Sequence, residues 1–129
     1  MKDILAGLIF TLLSISSWAT DLNDIYEHLD ITSFNSSLRP MQISDEDTFS
    51  DFKQLPQPII SNKKIIIEDD YWLLSLEIIK ENDQDIHVCF VDKAKEGTYD
   101  AQHPLVLRSY GKRYVAIAQK SNVCESFAR

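Results

Sequence analysis

Hydrophobic and polar positions change their rhythm about halfway along the chain. From Tyr71 to Lys80 they alternate. Trp72, Leu74, Leu76 and Ile78 fall on one face, and Tyr71, Leu73, Ser75, Glu77 and Ile79 on the other. A period of two belongs to a strand, whose successive side chains point to opposite sides. The polar tract 81–85 follows, and Ile86 to Asp92 then alternates again, which predicts an antiparallel hairpin. A rival reading caps a helix with Asp69 and Asp70 and runs it through Leu73, Leu76 and Ile79. Lys64–Glu68 is short and β-branched, the composition of a preceding strand. After a loop from Lys93 to His103, the runs Leu105–Tyr110 and Arg113–Ala118 flank Gly111-Lys112 as a second hairpin.

Residues 20–62 carry a different pattern, polar and rich in turn formers. Leu22, Ile25, Tyr26 and Leu29 stand at helical spacing. Ser44, followed by Asp45, Glu46 and Asp47, reads as a helix start. Serine can bond exposed amides there, and carboxylates suit the positive end. Phe49 and Phe52 would anchor that helix, and Pro56 and Pro58 would stop it. The expected fold class is therefore α+β and β-rich. It is an antiparallel meander of about five strands, curled or closed into a small barrel, with one or two short N-terminal helices. Segment 20–62 and sheet 63–129 would share one domain.

The first nineteen residues read as a secretory signal. Lys2 starts an apolar run from Ile4 to Ile15, and Ser17-Trp18-Ala19 places small residues where a signal peptidase needs them. The run is shorter than the roughly 20 apolar residues that span a bilayer. Cleavage near Ala19 leaves 110 of the 129 residues, with no further membrane span expected. Export implies an oxidising space, periplasmic or extracellular, where two cysteines most simply form one disulfide, Cys89 to Cys124.

Charge narrows the partners. The formal net charge is −7, unevenly placed: residues 20–103 hold 18 acids against 7 bases, whereas residues 104–129 carry a net +4. A phosphate backbone is repelled by most of this surface, so nucleic acid is excluded as an expected partner. A cationic protein partner fits, although an acidic surface also serves solubility alone.

Candidate chemistry is sparse. His87 and Cys89 sit two apart on a strand; a zinc site from His87, Cys89, His103 and Cys124 would lack any Cys-x-x-Cys or His-x-x-x-His anchor, so no metal is expected. A catalytic thiol at Cys89 is opposed by the oxidising compartment. The acidic runs Asp45-Glu46-Asp47 and Glu68-Asp69-Asp70 lack the ligand spacing of a calcium loop. Asn35-Ser36-Ser37 matches a glycosylation sequon, informative only in a eukaryotic host. The polar stretch from Glu96 to Pro104 gathers Tyr99, Asp100 and His103, in which Asp100 could orient His103. No nucleophile signature accompanies them, so no catalytic residue and no cofactor are expected.

Ser109-Tyr110-Gly111-Lys112-Arg113-Tyr114 looks somewhat like the Ser-Gly-x-x-Tyr loop of membrane-bound or periplasmic inhibitors of c-type lysozyme. That resemblance covers six residues of 129. Tyr110 interrupts the Ser-Gly pair, and no Trp-x-Lys-Gly segment follows, so no family is assigned from it. The sequence thus points to an exported small binding protein, an inhibitor or immunity-type partner of another exported protein such as a cell-wall hydrolase. Its expected contact surface is Tyr99, Asp100, His103, Arg108, Tyr110, Arg113 and Tyr114, since aromatics and arginine favour binding hot spots. Two alternatives stand beside it: a small exported enzyme using His103 with a nearby carboxylate, and a structural envelope module without a ligand.

Overall fold

The computed structural model describes residues 20–121 and Cys124. Its elements in chain order are α1 (Leu22–His28), β1 (Leu29–Asp30), β2 (Ile59–Ile60), β3 (Lys64–Glu68), β4 (Trp72–Asn82), β5 (Asp85–Ala94), β6 (Asp100–Tyr110) and β7 (Arg113–Ala118). Three short 3₁₀ turns, Ile31–Ser33, Arg39–Met41 and Phe49–Asp51, interrupt the N-terminal half. The predicted signal segment, residues 1–19, lies outside the described residues.

The sheet has seven strands in the order β1-β7-β6-β5-β4-β3-β2 and curls into a half-barrel. The expected meander of about five antiparallel strands corresponds to β3–β7; two further strands of two residues each come from the N-terminal segment. β2 extends the antiparallel series, but β1 lies parallel to β7, so the sheet is mixed. Neither two-residue strand leaves a periodic trace, because pairing of that length is imposed by the neighbouring edge.

The alternation in 71–80 is that of a strand, not a helix: Trp72, Leu74, Leu76 and Ile78 face the concave side. Opposite them on β5 stand Ala94, Asp92, Phe90 and Val88. The first hairpin turns on Asp83-Gln84, where Asp83 takes φ 50°, a conformation aspartate tolerates better than most residues. Gly111 takes φ 65° at the first central position of the β6–β7 turn, where a side chain would be strained.

The concave face is filled by the N-terminal segment. Leu22 and Ile25 of α1, Leu29, Phe34, Leu38, Phe49 and Phe52 pack on Ile65, Leu76, Val88, Phe90, Leu105 and Leu107 in one buried cluster. Phe90, fully buried, meets Phe34 edge-on at 5.0 Å and Phe49 at 6.3 Å. Each such side chain stabilises the fold by about 1.5–3 kcal/mol relative to exposure. Polar contacts fasten the same segment at its edge. Arg113 reaches Asp30 at 2.8 Å and Asp47 at 3.4 Å, and the Tyr114 hydroxyl donates to Asp24 at 2.8 Å.

Two expectations are corrected here. The helix expected from Ser44 does not form. Instead Phe49–Asp51 makes a single 3₁₀ turn, and the Asp51 carboxylate accepts from the amides of Asp47 and Thr48. Those amide bonds hold Asp51 below the usual carboxylate range. The run of Asp, Thr and Ser is weakly helical, and a three-residue turn already buries both Phe49 and Phe52. The loop expected from Lys93 to His103 is also shorter, because β5 continues to Ala94 and β6 begins at Asp100. Pro104 inside β6 is accommodated because its carbonyl accepts from Gln119, just past the end of β7. Its missing N–H therefore faces a side where the ladder has already stopped.

The disulfide joins Cys89 to Cys124, with Cα atoms 5.3 Å apart. Cys89 points to the convex face, so the bond ties residue 124 to the outside of the sheet.

Candidate functional site

Asp92 continues the inward series Ile86, Val88 and Phe90 on β5, and so puts a carboxylate where the alternation asks for an apolar group. It is 0% exposed. A buried carboxylate is costly unless donors satisfy it. Three do: the Ser37 amide at 2.7 Å, the Ser37 hydroxyl at 2.8 Å and the Trp72 indole N–H at 2.7 Å. Asp92 is thus a post that fixes the N-terminal strap, through Ser37, to the start of β4, through Trp72.

Beside this post opens a groove of about 260 Å³. Ser37, Leu38 and Met41 of the strap form one wall, and Gln54, Leu55 and Pro56 another. Ile67, Trp72 and Leu74 make the floor and far side, with Glu68 and Asp69 at the β3–β4 corner. The interior is mostly apolar. Both wall groups bonded to Asp92 turn their donors inward, so the Trp72 side of the groove presents hydrocarbon rather than a free N–H. Met41, 47% exposed, sits in the wall as an adaptable apolar side chain. Tyr99 packs its ring on Trp72, with centroids 5.5 Å apart, and is also 47% exposed. Its hydroxyl pKa is raised by burial and then by the charge of Asp92.

Acidic groups mark the corner. Asp69 accepts from the amides of Tyr71 and Trp72, both at 2.8 Å, which lowers its pKa. Glu68 is paired with Lys95 at 2.9 Å. Among the described residues no ion pair engages Asp69 or Asp70.

The candidate residues read from the sequence separate into two ends of the sheet. Tyr99 stands at the groove end and Tyr110 at the far tip of β6, eleven residues on and about 35 Å away along the strand. Asp100 and His103 lie on the strand rather than in a loop, three positions apart and hence on opposite faces, so Asp100 does not orient His103. His103 faces inward and stacks on Phe90 at 6.3 Å. Arg108 pairs with Asp85 at 2.7 Å across the hairpin. Arg113 and Tyr114 are bonded to the strap, while Tyr110, 58% exposed at the tip, interacts with Arg108. His87 and Cys89 face outward and His103 inward, so the four zinc candidates are split across the sheet. Among the described residues no group of three or more His, Cys, Asp or Glu is placed to hold a metal ion. No helix among them is long and apolar enough to cross a membrane.

Met41 and Asp92 were not singled out by sequence reasoning, and Ser37 only as part of a glycosylation sequon. For Asp92 a signal existed: strict alternation from Ile86 places it inward and so demands buried partners. Which residues those are depends on Ser37, 55 positions away, and no local pattern names it. No protein-family model, curated protein or solved structure matches the chain.

Proposed function

We propose that this is an exported small binding protein, an inhibitor or immunity-type partner of another exported protein such as a cell-wall hydrolase. The observation that carries the reading is the apolar groove beside Trp72, open to solvent and held in shape by the three hydrogen bonds to Asp92. An apolar recess flanked by partly exposed Met41 and Tyr99 has the make-up of a protein-binding hot spot. The Cys89–Cys124 disulfide and the signal-like residues 1–19 support export to an oxidising compartment. The alternative of a small exported enzyme draws no support from the placement of His103, whose ring stacks on Phe90 and faces away from Asp100.

The test is affinity capture on the immobilised, disulfide-bonded protein from an extract of exported proteins, with capture repeated on Met41→Glu and Tyr99→Ala. The expected result is one retained protein that both variants lose, and whose enzymatic activity falls when the wild-type protein is added. Retention of nothing, or equal retention by wild type and both variants, overturns the reading.

A further inference from the structure

We infer that the groove beside Trp72 receives one apolar side chain from a basic segment of the partner, with a neighbouring lysine or arginine set against Asp69 and Asp70. This rests on the reading of the protein as a binding protein and adds the chemistry of what it binds. Size speaks first. A recess of about 260 Å³ is smaller than the roughly 300–1,000 Å³ of small-molecule pockets, and suits a single anchoring side chain. Polarity speaks next. The indole N–H of Trp72 and the hydroxyl proton of Ser37 are both committed to Asp92, so neither is left to orient a polar ligand on that side. Binding on the Trp72 side of the groove is therefore by apolar contact.

Charge then selects the flanks. The corner bears Glu68, Asp69 and Asp70 around Lys95, which pairs with Glu68 at 2.9 Å and also acts on Asp69 by its charge. Both bonds to Asp69 fall on Oδ1, which leaves Oδ2 for an incoming donor. Asp70, exposed, adds a second charge one residue on. An acidic segment would meet these carboxylates with like charge, whereas a basic one gains attraction from the same net −11 that dominates residues 20–103. A second copy of this chain is a poor occupant, because its own surface is mostly acidic and its Arg108 and Arg113 are already paired with Asp85, Asp30 and Asp47.

The test uses the disulfide-bonded protein, isotope-labelled, and four synthetic peptides. Three have a central leucine flanked by two arginines, two glutamates or two serines; the fourth replaces the leucine of the arginine peptide by glycine. Titration is followed by nuclear magnetic resonance at the Trp72 indole N–H, assigned through Trp72→Phe, and at the amides of Met41, Gln54 and Asp69. The arginine peptide is expected to shift these signals, with affinity at least about ten-fold above that of the glutamate peptide, and to lose the effect when leucine becomes glycine. Asp69→Asn with Asp70→Asn should reduce the arginine–glutamate difference several-fold while the Trp72 indole signal still reports a folded protein. Equal response to arginine and glutamate peptides overturns the inference. So does a response confined to the Tyr110 tip, or a shift of the Trp72 signal with protein concentration alone. If affinity capture succeeds while the peptides fail, the binding-protein reading survives and only the groove chemistry falls.

Discussion

Replacing Asp92 by asparagine removes one negative charge and puts a donor where only acceptors fit. In the native arrangement one carboxylate oxygen accepts from the Ser37 hydroxyl and the Trp72 indole, and the other accepts from the Ser37 amide. An asparagine whose oxygen keeps the first pair must turn its amide group toward the Ser37 N–H. That loses one charge-assisted bond, worth about 1.5–3 kcal/mol, and weakens two others to neutral ones, at about 0.5–1 kcal/mol each. The expected destabilisation is about 2.5–5 kcal/mol. It is measured by urea unfolding followed by fluorescence. Trp72 is the sole tryptophan after residue 19, so emission reports on the site itself. With a urea slope of about 2 kcal/mol per molar, the midpoint should fall by roughly 1.3–2.5 M at unchanged slope. Ser37→Ala tested alone and with Asp92→Asn should show coupling of about 0.5–3 kcal/mol, because the two side chains share one bond. A loss within about 0.5 kcal/mol of zero, or strict additivity, would refute the role of Asp92 as the post of the groove.

Three further outcomes are expected. Burial, aided by the carboxylates of Asp24 and Asp21, pushes the Tyr114 phenol up to about 12. Its folded value lies above the ordinary one near 10, so the stability it contributes is full below about pH 10 and is lost as pH rises through about 12. Tyr114→Phe should abolish that alkaline loss in unfolding measurements across this range, while lowering neutral stability by about 1 kcal/mol. Burial raises the pKa of Asp30, but the bonds from Thr32 and Arg113 outweigh it and leave the group lowered. Its contribution is therefore present above the ordinary aspartate range near pH 4 and lost as pH falls through the folded value. Arg113→Ala should shrink that acid loss and cost about 1 kcal/mol at neutral pH, read from denaturation midpoints at two pH values. Cys89→Ala with Cys124→Ala should destabilise by roughly 3–4 kcal/mol, and the wild-type protein, denatured without reductant, should take up no thiol reagent.

The sequence by itself determined what depends on near neighbours. Period-two alternation named the inward face of β4 from Trp72 to Ile78. The β-branched run Lys64–Glu68 is β3 to the residue, and Gly111-Lys112 sits where the second hairpin turns. Composition also supplied the disulfide partners, since two cysteines have only one possible pairing. Tertiary structure decided what joins distant positions. The 3₁₀ turn at Phe49–Asp51 replaced a helix because a short turn already buried both phenylalanines against the sheet. β1 added itself in parallel because the edge of β7 was there to pair with. Arg113 and Tyr114, surface-like in sequence, bond to acids of the strap, while Tyr110 stays 58% exposed at the tip. The groove exists only because residues 37–41, 54–56 and 67–74 converge around Asp92. A local pattern can say that a carboxylate points inward. Only the folded chain can bring the three donors that keep it there, and with them the walls of the site.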